Sequence, residues 1–205
     1  MKKLISIFLL VGLIGGGLVC KNHFMIKEEK TITTHPLVTV TLSNHTTFKI
    51  RLYPEEAPNT VCNFIELANC GFYENLGFSK ILPNYFVQTG DTIGNGTGFP
   101  GYFIQSECEA NGFDNDLACE MGTVCMARGD KFNTEGSQFF ILLCDAPELE
   151  GDYTAFGKVV TGLEHLMTLE EEEGIVITHM DVQTFKQHYE EPKVLSMVEV
   201  RDTLR

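Results

Sequence analysis

Short stretches of alternating apolar and polar residues constrain the fold of this chain more than any other feature of its sequence. Residues 37–42 alternate apolar side chains with threonine, and residues 47–53 alternate again after a polar turn at 43–45. Successive side chains of a β-strand point to opposite faces, so a period of two indicates a strand with one buried face. The two stretches therefore predict a β-hairpin.

Further short apolar stretches follow along the chain. With the hairpin they predict eight strands, at residues 37–42, 47–53, 78–82, 86–89, 123–127, 138–143, 155–160 and 194–200. Two segments have helical spacing: one opens at Pro54 and ends at Gly71, and the other spans residues 162–172. Many short strands with two substantial helices are typical of a closed antiparallel barrel. We therefore expect a mostly β fold, a closed eight-stranded antiparallel barrel capped by two helices.

The size and charge of the chain exclude one large class of proteins. Its 205 residues suit one domain with a short tail, and its hydrophobic content of 43% is ordinary for a globular protein. The formal net charge is −13. A protein that binds nucleic acid needs a basic surface to displace counterions from phosphates, so we expect no nucleic-acid partner.

The first twenty residues have the pattern of an export signal. Lys2 and Lys3 precede an uncharged, mostly apolar run that reaches Cys20. We predict a signal peptide or membrane anchor at residues 1–20, a flexible spacer at 21–35 and one domain at 36–205. The protein would then be extracytoplasmic, either secreted or attached to the membrane by an uncleaved N-terminus. Cleavage, lipidation at Cys20 and retention as an anchor all stay open.

Seven cysteines raise the question of disulfides. If Cys20 is removed or lipidated, six remain, and this even number could pair outside the cell. Cysteine also packs well as a small buried hydrophobic residue, and we favour that interpretation for most of them.

Motifs for cofactors and metals are weak or missing. Residues 96–101 match the G-x-G-x-x-G pattern of dinucleotide sites, but Pro100 and the aromatic residues after it do not open a helix. A turn-rich surface loop is the better interpretation. The six histidines lack the spacings of zinc sites, and no C-x-x-C occurs. We expect neither a metal nor a cofactor.

Three segments carry a far more specific pattern. They are residues 78–91, which begin Phe-Ser-Lys, residues 124–128, Val-Cys-Met-Ala-Arg, and residues 136–141, Gly-Ser-Gln-Phe-Phe-Ile. In order and spacing they resemble the signature of the cyclophilins, most of all the single-domain bacterial members, and the similarity covers roughly residues 37–200. The resemblance implies a cyclophilin-like barrel, peptidyl-prolyl cis-trans isomerase activity and proline-containing polypeptides as partners. We also expect a monomer.

The resemblance assigns roles to eleven residues. It implies that Lys80 and Gln88 are catalytic, with Gln88 holding the substrate carbonyl and orienting the catalytic cation. It also implies nine substrate-binding residues: Tyr85, Phe86, Met126, Ala127, Arg128, Gln138, Phe140, Leu149 and Tyr153.

The chain departs from the family pattern at several of its functional positions. Lys80 stands where the family has a catalytic arginine, and Ser79 where it has a histidine. Tyr85 replaces a phenylalanine of the pocket floor, Tyr153 replaces a histidine at the pocket edge, and Glu148 replaces the tryptophan common in eukaryotic members. Lysine keeps the positive charge but loses the planar fork that can donate to two atoms at once.

Two functions remain in view because of Lys80. The first is isomerisation of X–Pro bonds in exported or surface polypeptides, which assists their folding. The alternative is a module that binds proline peptides with weak or no activity.

Overall fold

The computed structural model describes residues 34–170 and 174–203. The predicted signal or anchor at 1–20 and nearly all of the spacer at 21–35 lie outside the described residues. Within the described part, no helix is both long and apolar enough to span a bilayer.

The strands are β1 Leu37–Leu42, β2 Thr47–Leu52, β3 Phe78–Leu82, β4 Phe86–Thr89, β5 Thr123–Met126, β6 Phe139–Leu142, β7 Ala155–Thr161 and β8 Ile177–Gln183. The helices are α1 Pro58–Asn69, α2 Leu163–Met167 and α3 Met197–Thr203.

The eight strands form one antiparallel sheet that curls on itself. Its order is β3-β4-β6-β5-β7-β2-β1-β8, so β3 and β8 are the edge strands. Among the described residues these two edges meet through one isolated bridge, between Gly77 and Val176, rather than through a ladder. The mostly β, eight-stranded antiparallel fold is confirmed. Full closure of the barrel is not confirmed, because the sheet is an open half-barrel.

Seven predicted strands agree with the structure to within one or two residues at their ends, and the eighth is wrong. In place of the strand expected at 194–200, Leu195 forms an isolated bridge with Phe103, and helix α3 follows. A reciprocal cap holds the start of this helix. Ser196 N donates to Glu199 Oε2 at 2.7 Å, and Glu199 N donates to Ser196 Oγ at 3.3 Å.

The actual eighth strand, β8, pairs with β1. Its side chains do not alternate, because Ile177 and Met180 are buried three residues apart while most of the others are exposed. A register shift between Thr41 and Leu42 accompanies this pairing. The period of two on which the strand predictions rest is therefore absent from β8.

Helix α1 begins at Pro58, and residues 54–57, predicted to be helical, form a turn. The N-cap residue Ala57 has no side-chain oxygen for the free amides of the first turn. Glu107 provides one from a distant segment. Its carboxylate accepts hydrogen bonds from the amides of Asn59 at 3.0 Å and Thr60 at 2.8 Å. The second predicted helix is shorter than expected, because α2 ends at Met167.

Two apolar clusters lie on opposite faces of the sheet. The larger one fills the inside of the curl, where Phe64 of α1 packs against Phe139 and Phe156 with ring centroids 5.2 Å away in both cases. The smaller one consists of Cys119, Cys125, Phe140, Leu142, Ala146 and Ala155. None of the six described cysteines is in a disulfide, and three of them are buried.

Candidate active site

A cavity of about 640 Å³ opens beside the smaller cluster. Ten of the eleven predicted site residues line it: Lys80, Tyr85, Phe86, Gln88, Ala127, Arg128, Gln138, Phe140, Leu149 and Tyr153. The eleventh, Met126, is not brought to the cavity. It has no exposed surface and belongs to the larger core, because side chains alternate along β5 and Met126 faces the same way as Val124.

The pairing of neighbouring strands brings the other side chains to one surface. Lys80 of β3 lies opposite Gln88 of β4, and Gln88 lies opposite Phe140 of β6. Phe86 precedes Gln88 by two residues and so points to the same face of β4. A slip of one residue in this register would turn these side chains towards the core.

Four rings form a continuous series along the cavity, which we call the aromatic arc: Tyr85, Phe86, Phe140 and Tyr153. Successive ring centroids lie 5.4 Å, 5.4 Å and 5.3 Å from each other. The tilted and edge-on geometries are those that aromatic pairs prefer. Rings that partly face a cavity offer an apolar seat for a small ring or side chain of a ligand.

The charge of Lys80 lies over this arc. Its Nζ atom is 5.1 Å from the centroid of the Phe86 ring, a distance at which a cation is attracted to the ring face. The ion pairs among the described residues involve other side chains, so Lys80 has no carboxylate partner there. The ammonium group therefore keeps its donors available to a ligand in the cavity.

Gln88 belongs to a relay of amide groups. Its Nε2 donates to Gln138 Oε1 at 2.8 Å, and Gln138 Nε2 donates to the carbonyls of Gly98 at 2.8 Å and Gly96 at 3.1 Å. The relay ties this face of the sheet to the glycine-rich loop and fixes the orientation of both amides. Among the described residues no hydrogen bond joins Gln88 to Lys80, so the orienting role expected for Gln88 stays a prediction.

The glycine-rich loop is organised around one carboxylate. Asp91 is 4% exposed and accepts hydrogen bonds from the amides of Ile93, Gly96 and Gly98. Burial alone would raise the pKa of Asp91, but these amides hold the pKa below its usual range. A Cβ atom at Gly98 would collide with the Asp91 carboxylate, which explains the glycine. The loop is thus a shaped wall of the cavity, in agreement with the structural interpretation of the G-x-G-x-x-G pattern.

Arg128 is the second cation of the cavity, and it is held from several sides. Its Nε donates to the Asp152 carbonyl and its Nη1 to the Gly129 carbonyl, each at 3.1 Å. Its Cζ lies 4.7 Å from the centroid of the Phe132 ring and 4.9 Å from that of Tyr153. The guanidinium is therefore attached to the Tyr153 end of the aromatic arc.

A buried acid lies directly behind the wall. Glu135 has no exposed surface, although its neighbours Thr134 and Gly136 both line the cavity. Burial raises the pKa of Glu135 to about 8, and the hydrogen bond that its Oε1 accepts from Thr154 Oγ1 at 2.8 Å opposes this only in part. Thr154 Oγ1 in turn accepts from the amide of Glu107, the residue that caps α1. This network connects the cavity wall to the start of the main helix.

Glu148 lies at the other end of the arc. The hydroxyl of Tyr85 donates to Glu148 Oε1 at 3.0 Å, and this hydrogen bond raises the pKa of Tyr85. The two side chains that depart from the family pattern here are therefore partners. Neither a phenylalanine at position 85 nor a tryptophan at 148 could form this hydrogen bond between hydroxyl and carboxylate.

Sequence reasoning did not assign several residues that line the cavity: Leu82, Gly96, Thr97, Gly98, Phe99, Phe103, Gly129, Thr134, Gly136 and Ser137. Most of them lie in the glycine-rich loop or beside the assigned segments. The clustered glycines were a usable signal, because they mark places where backbone approaches closely. The sequence contains no comparable signal for Phe103, since the position of Phe103 depends on its bridge to Leu195.

Comparison with known proteins places this cavity in context. Residues 37–197 match the sequence model of the family described as cyclophilin type peptidyl-prolyl cis-trans isomerase. Peptidyl-prolyl cis-trans isomerase B of Bacillus subtilis is 47% identical over 116 residues, which are 57% of this chain and 78% of the relative. The Helicobacter pylori peptidyl-prolyl cis-trans isomerase of strain 26695 is 35% identical over 150 residues, covering 73% of this chain and 86% of that protein.

Solved structures give a consistent result. A crystal structure of a Cryptosporidium parvum cyclophilin type peptidyl-prolyl cis-trans isomerase aligns with a TM-score of 0.65 at 27% identity, covering 73% of this chain and 98% of the other. A second structure of that protein, determined in the presence of the dipeptide Ala-Pro, aligns with a TM-score of 0.63 at 28% identity over 72% of this chain and 98% of the other.

Proposed function

This chain belongs to the cyclophilin-type peptidyl-prolyl cis-trans isomerases, and we propose that it isomerises X–Pro bonds of exported or surface polypeptides in the cavity described above. The observation that carries the proposal is the joint placement of Lys80, Gln88 and the aromatic arc on one wall of that cavity. Chemistry that needs a nucleophile, a metal or a cofactor is not required for this reaction.

The reaction defines what the cavity must do. Amide resonance sets a barrier of about 18–20 kcal/mol to rotation about the X–Pro bond. Rotation breaks this resonance, so the prolyl nitrogen becomes an acceptor while the amide is twisted. A positioned cationic donor stabilises the twisted state more than either planar isomer, which is the requirement for a catalyst. We assign this role to Lys80, and its position over the Phe86 ring in the cavity supports the assignment.

The other residues hold the substrate while it rotates. Phe86, Phe140 and Leu149 form an apolar seat for the proline ring, and Tyr153 closes its edge. Within the described part of the chain, Gln88 has its carbonyl oxygen and a second N–H free to hold the flanking backbone, because the relay to Gln138 occupies one N–H of its amide. Held at both ends, the substrate rotates about one bond.

Lysine in place of arginine sets the expected rate. An ammonium group acts as a point charge, whereas a guanidinium can donate to the prolyl nitrogen and a neighbouring carbonyl together. We therefore expect real but reduced isomerase activity. The same replacement is the reason to keep a second candidate, a proline-peptide-binding module with little turnover.

An isomerisation assay on an Ala-Pro peptide with the full-length chain separates these functions. We expect kcat/KM to fall about 100-fold in Lys80→Ala and to rise in Lys80→Arg, since removal of one preorganised donor has effects of this order. Lys131→Ala is the matched control, because Lys131 is exposed and does not line the cavity. Equal activity in Lys80→Ala and the parent would remove Lys80 from the mechanism.

The binding module has its own signature in the same experiment. It would leave the isomerisation rate at the uncatalysed value, yet calorimetric titration with the Ala-Pro peptide would still give saturable binding. That result would replace the catalytic proposal.

Export rests on the N-terminal sequence. Lys2 and Lys3 before a long apolar run favour translocation out of the cytosol, with secretion or membrane attachment as the result. Cell fractionation combined with N-terminal sequencing tests this. Intact protein confined to the cytosolic fraction would contradict the location while leaving the isomerase activity in place.

A further inference from the structure

The charge inside the cavity is opposite to that of the protein. The chain has a net charge of −13, yet the described residues that line the cavity include the cations Lys80 and Arg128 and no aspartate or glutamate. Charged side chains of one sign in a cleft with low-dielectric walls raise the local concentration of ligands of the opposite charge. The cavity therefore presents two cationic side chains on an otherwise acidic molecule.

Arg128 makes more contacts than Lys80. Two backbone carbonyls and two aromatic rings fix the plane of its guanidinium, as described above. These contacts use Nε and one N–H of Nη1, so donors on Nη2 remain for a ligand. Within the described part of the chain Arg128 has no ion pair. A guanidinium that is held by neutral groups keeps its full charge for a partner that enters the cavity.

The position of Arg128 determines which part of a substrate it meets. Its Cζ is 4.9 Å from the Tyr153 ring, and that ring is 5.3 Å from Phe140, which forms part of the proline seat. One extended residue spans about 3.3–3.6 Å. The side chain of a residue directly beside the proline is therefore within reach of the guanidinium.

We propose that Arg128 is a specificity-determining residue that selects substrates with an acidic side chain next to the isomerised proline. The inference rests on the proposed isomerase function and deepens it. Among the described residues Glu148 forms no ion pair with Arg128, and its carboxylate accepts a hydrogen bond from Tyr85 at the other end of the arc. The preferred clients are thus segments in which aspartate or glutamate flanks proline.

The test compares isomerisation of matched tetrapeptides by the full-length chain, measured by NMR exchange. One series has glutamate, glutamine or lysine before the proline, and a second series has the same residues after it. We expect kcat/KM for glutamate to exceed that for glutamine about tenfold in one series, which corresponds to about 1.4 kcal/mol. Lysine should rank below glutamine. The preference should shrink at about 0.5 M salt, where charge interactions are screened.

Variants then assign the preference to Arg128. The measured quantity is the ratio of kcat/KM for glutamate to that for glutamine, so a general loss of activity does not affect the result. We expect Arg128→Gln to bring the ratio to about one, and Arg128→Lys to give an intermediate value because the charge stays while the fork is lost. Lys131→Gln, a charge change outside the cavity, should keep the parental ratio.

Two results would overturn the inference. One is a ratio near one in both peptide series for the parent chain, and the other is a ratio that Arg128→Gln leaves unchanged. Failure of the isomerase function itself looks different, because no peptide of either series would then be accelerated.

Discussion

Phe139 and Phe140 are neighbours on β6, and their side chains point to opposite faces of the sheet. Phe139 has no exposed surface and makes edge-on contacts with Phe64 and Tyr73 inside the curl of the sheet. Phe140 faces outward, where it packs on Phe86 and forms part of the cavity wall. The same side chain contributes to stability at one position and to ligand binding at the next.

The contrast extends to the two faces of the sheet. The inner face meets a filled hydrocarbon core, whereas the outer face leaves about 640 Å³ open and has cations over its rings. Close packing on one side fixes the backbone, and the fixed backbone holds the side chains of the other side in place. Stability and recognition are thus separated by the alternation of side chains along single strands.

The largest expected effect comes from breaking the inner face. Phe139→Ala should lower the free energy of unfolding by about 3–5 kcal/mol, because a fully buried ring leaves a cavity that its neighbours cannot fill. Phe140→Ala should cost less, since the space it vacates joins a cavity that water already reaches. Urea denaturation of both variants measures the difference. Equal losses would show that the two faces are not energetically distinct.

The second prediction concerns the pH dependence of stability. Glu135 is a buried acid directly behind the cavity wall. Its folded-state pKa of about 8 is higher than in the unfolded chain, so the folded protein binds this proton more tightly. The associated stability is complete below the unfolded pKa, near 4.5, and is lost as the pH rises through about 8. The free energy of unfolding should therefore fall across this range.

Glu135→Gln removes this titration while keeping the shape of the side chain. The variant should gain stability relative to the parent by about 3–4 kcal/mol more at pH 8 than at pH 5. Denaturation of both proteins at the two pH values isolates the effect, because other groups titrate alike in both. A stability difference independent of pH would mean that Glu135 is ionised in the folded protein throughout.

The third prediction concerns ligand binding, for which Phe140 should matter more than Phe139. Phe140→Leu should weaken the binding of an Ala-Pro peptide about tenfold, since a flat ring of the proline seat is lost. Phe139→Leu is the matched control on the inner face and should change the dissociation constant far less. Calorimetric titration gives both values. If Phe139→Leu weakened binding as much, the two faces would be coupled rather than separate.

The smallest effect concerns the rim. Tyr85→Phe removes the hydrogen bond to Glu148, which is exposed, and should change kcat/KM on a neutral Ala-Pro peptide by less than about threefold. The ring that forms the arc is retained. A larger loss of activity would show that the Tyr85 hydroxyl contacts the substrate.

Several features could be read from the sequence because they are local or periodic. Alternation located β1 and β2, helical spacing located most of α1, and the family signature located ten residues that do line one cavity. The spacing of Ser196 and Glu199 is also a signal of a helix start, but the apolar residues around it favour a strand. The roles of the site residues and the export of the protein stay predictions.

Other features needed the folded chain because they join residues that are far apart in sequence. β8 lacks alternation and is recognisable only by its pairing with β1. The cap that Glu107 places on α1 crosses 47 residues, and the guanidinium of Arg128 is oriented by a carbonyl 24 residues away. The sequence by itself determined seven of the eight strands, since alternation and short apolar runs are local features of the chain. Only the tertiary structure decided where the charges lie within the cavity, because charge positions depend on how distant segments pack.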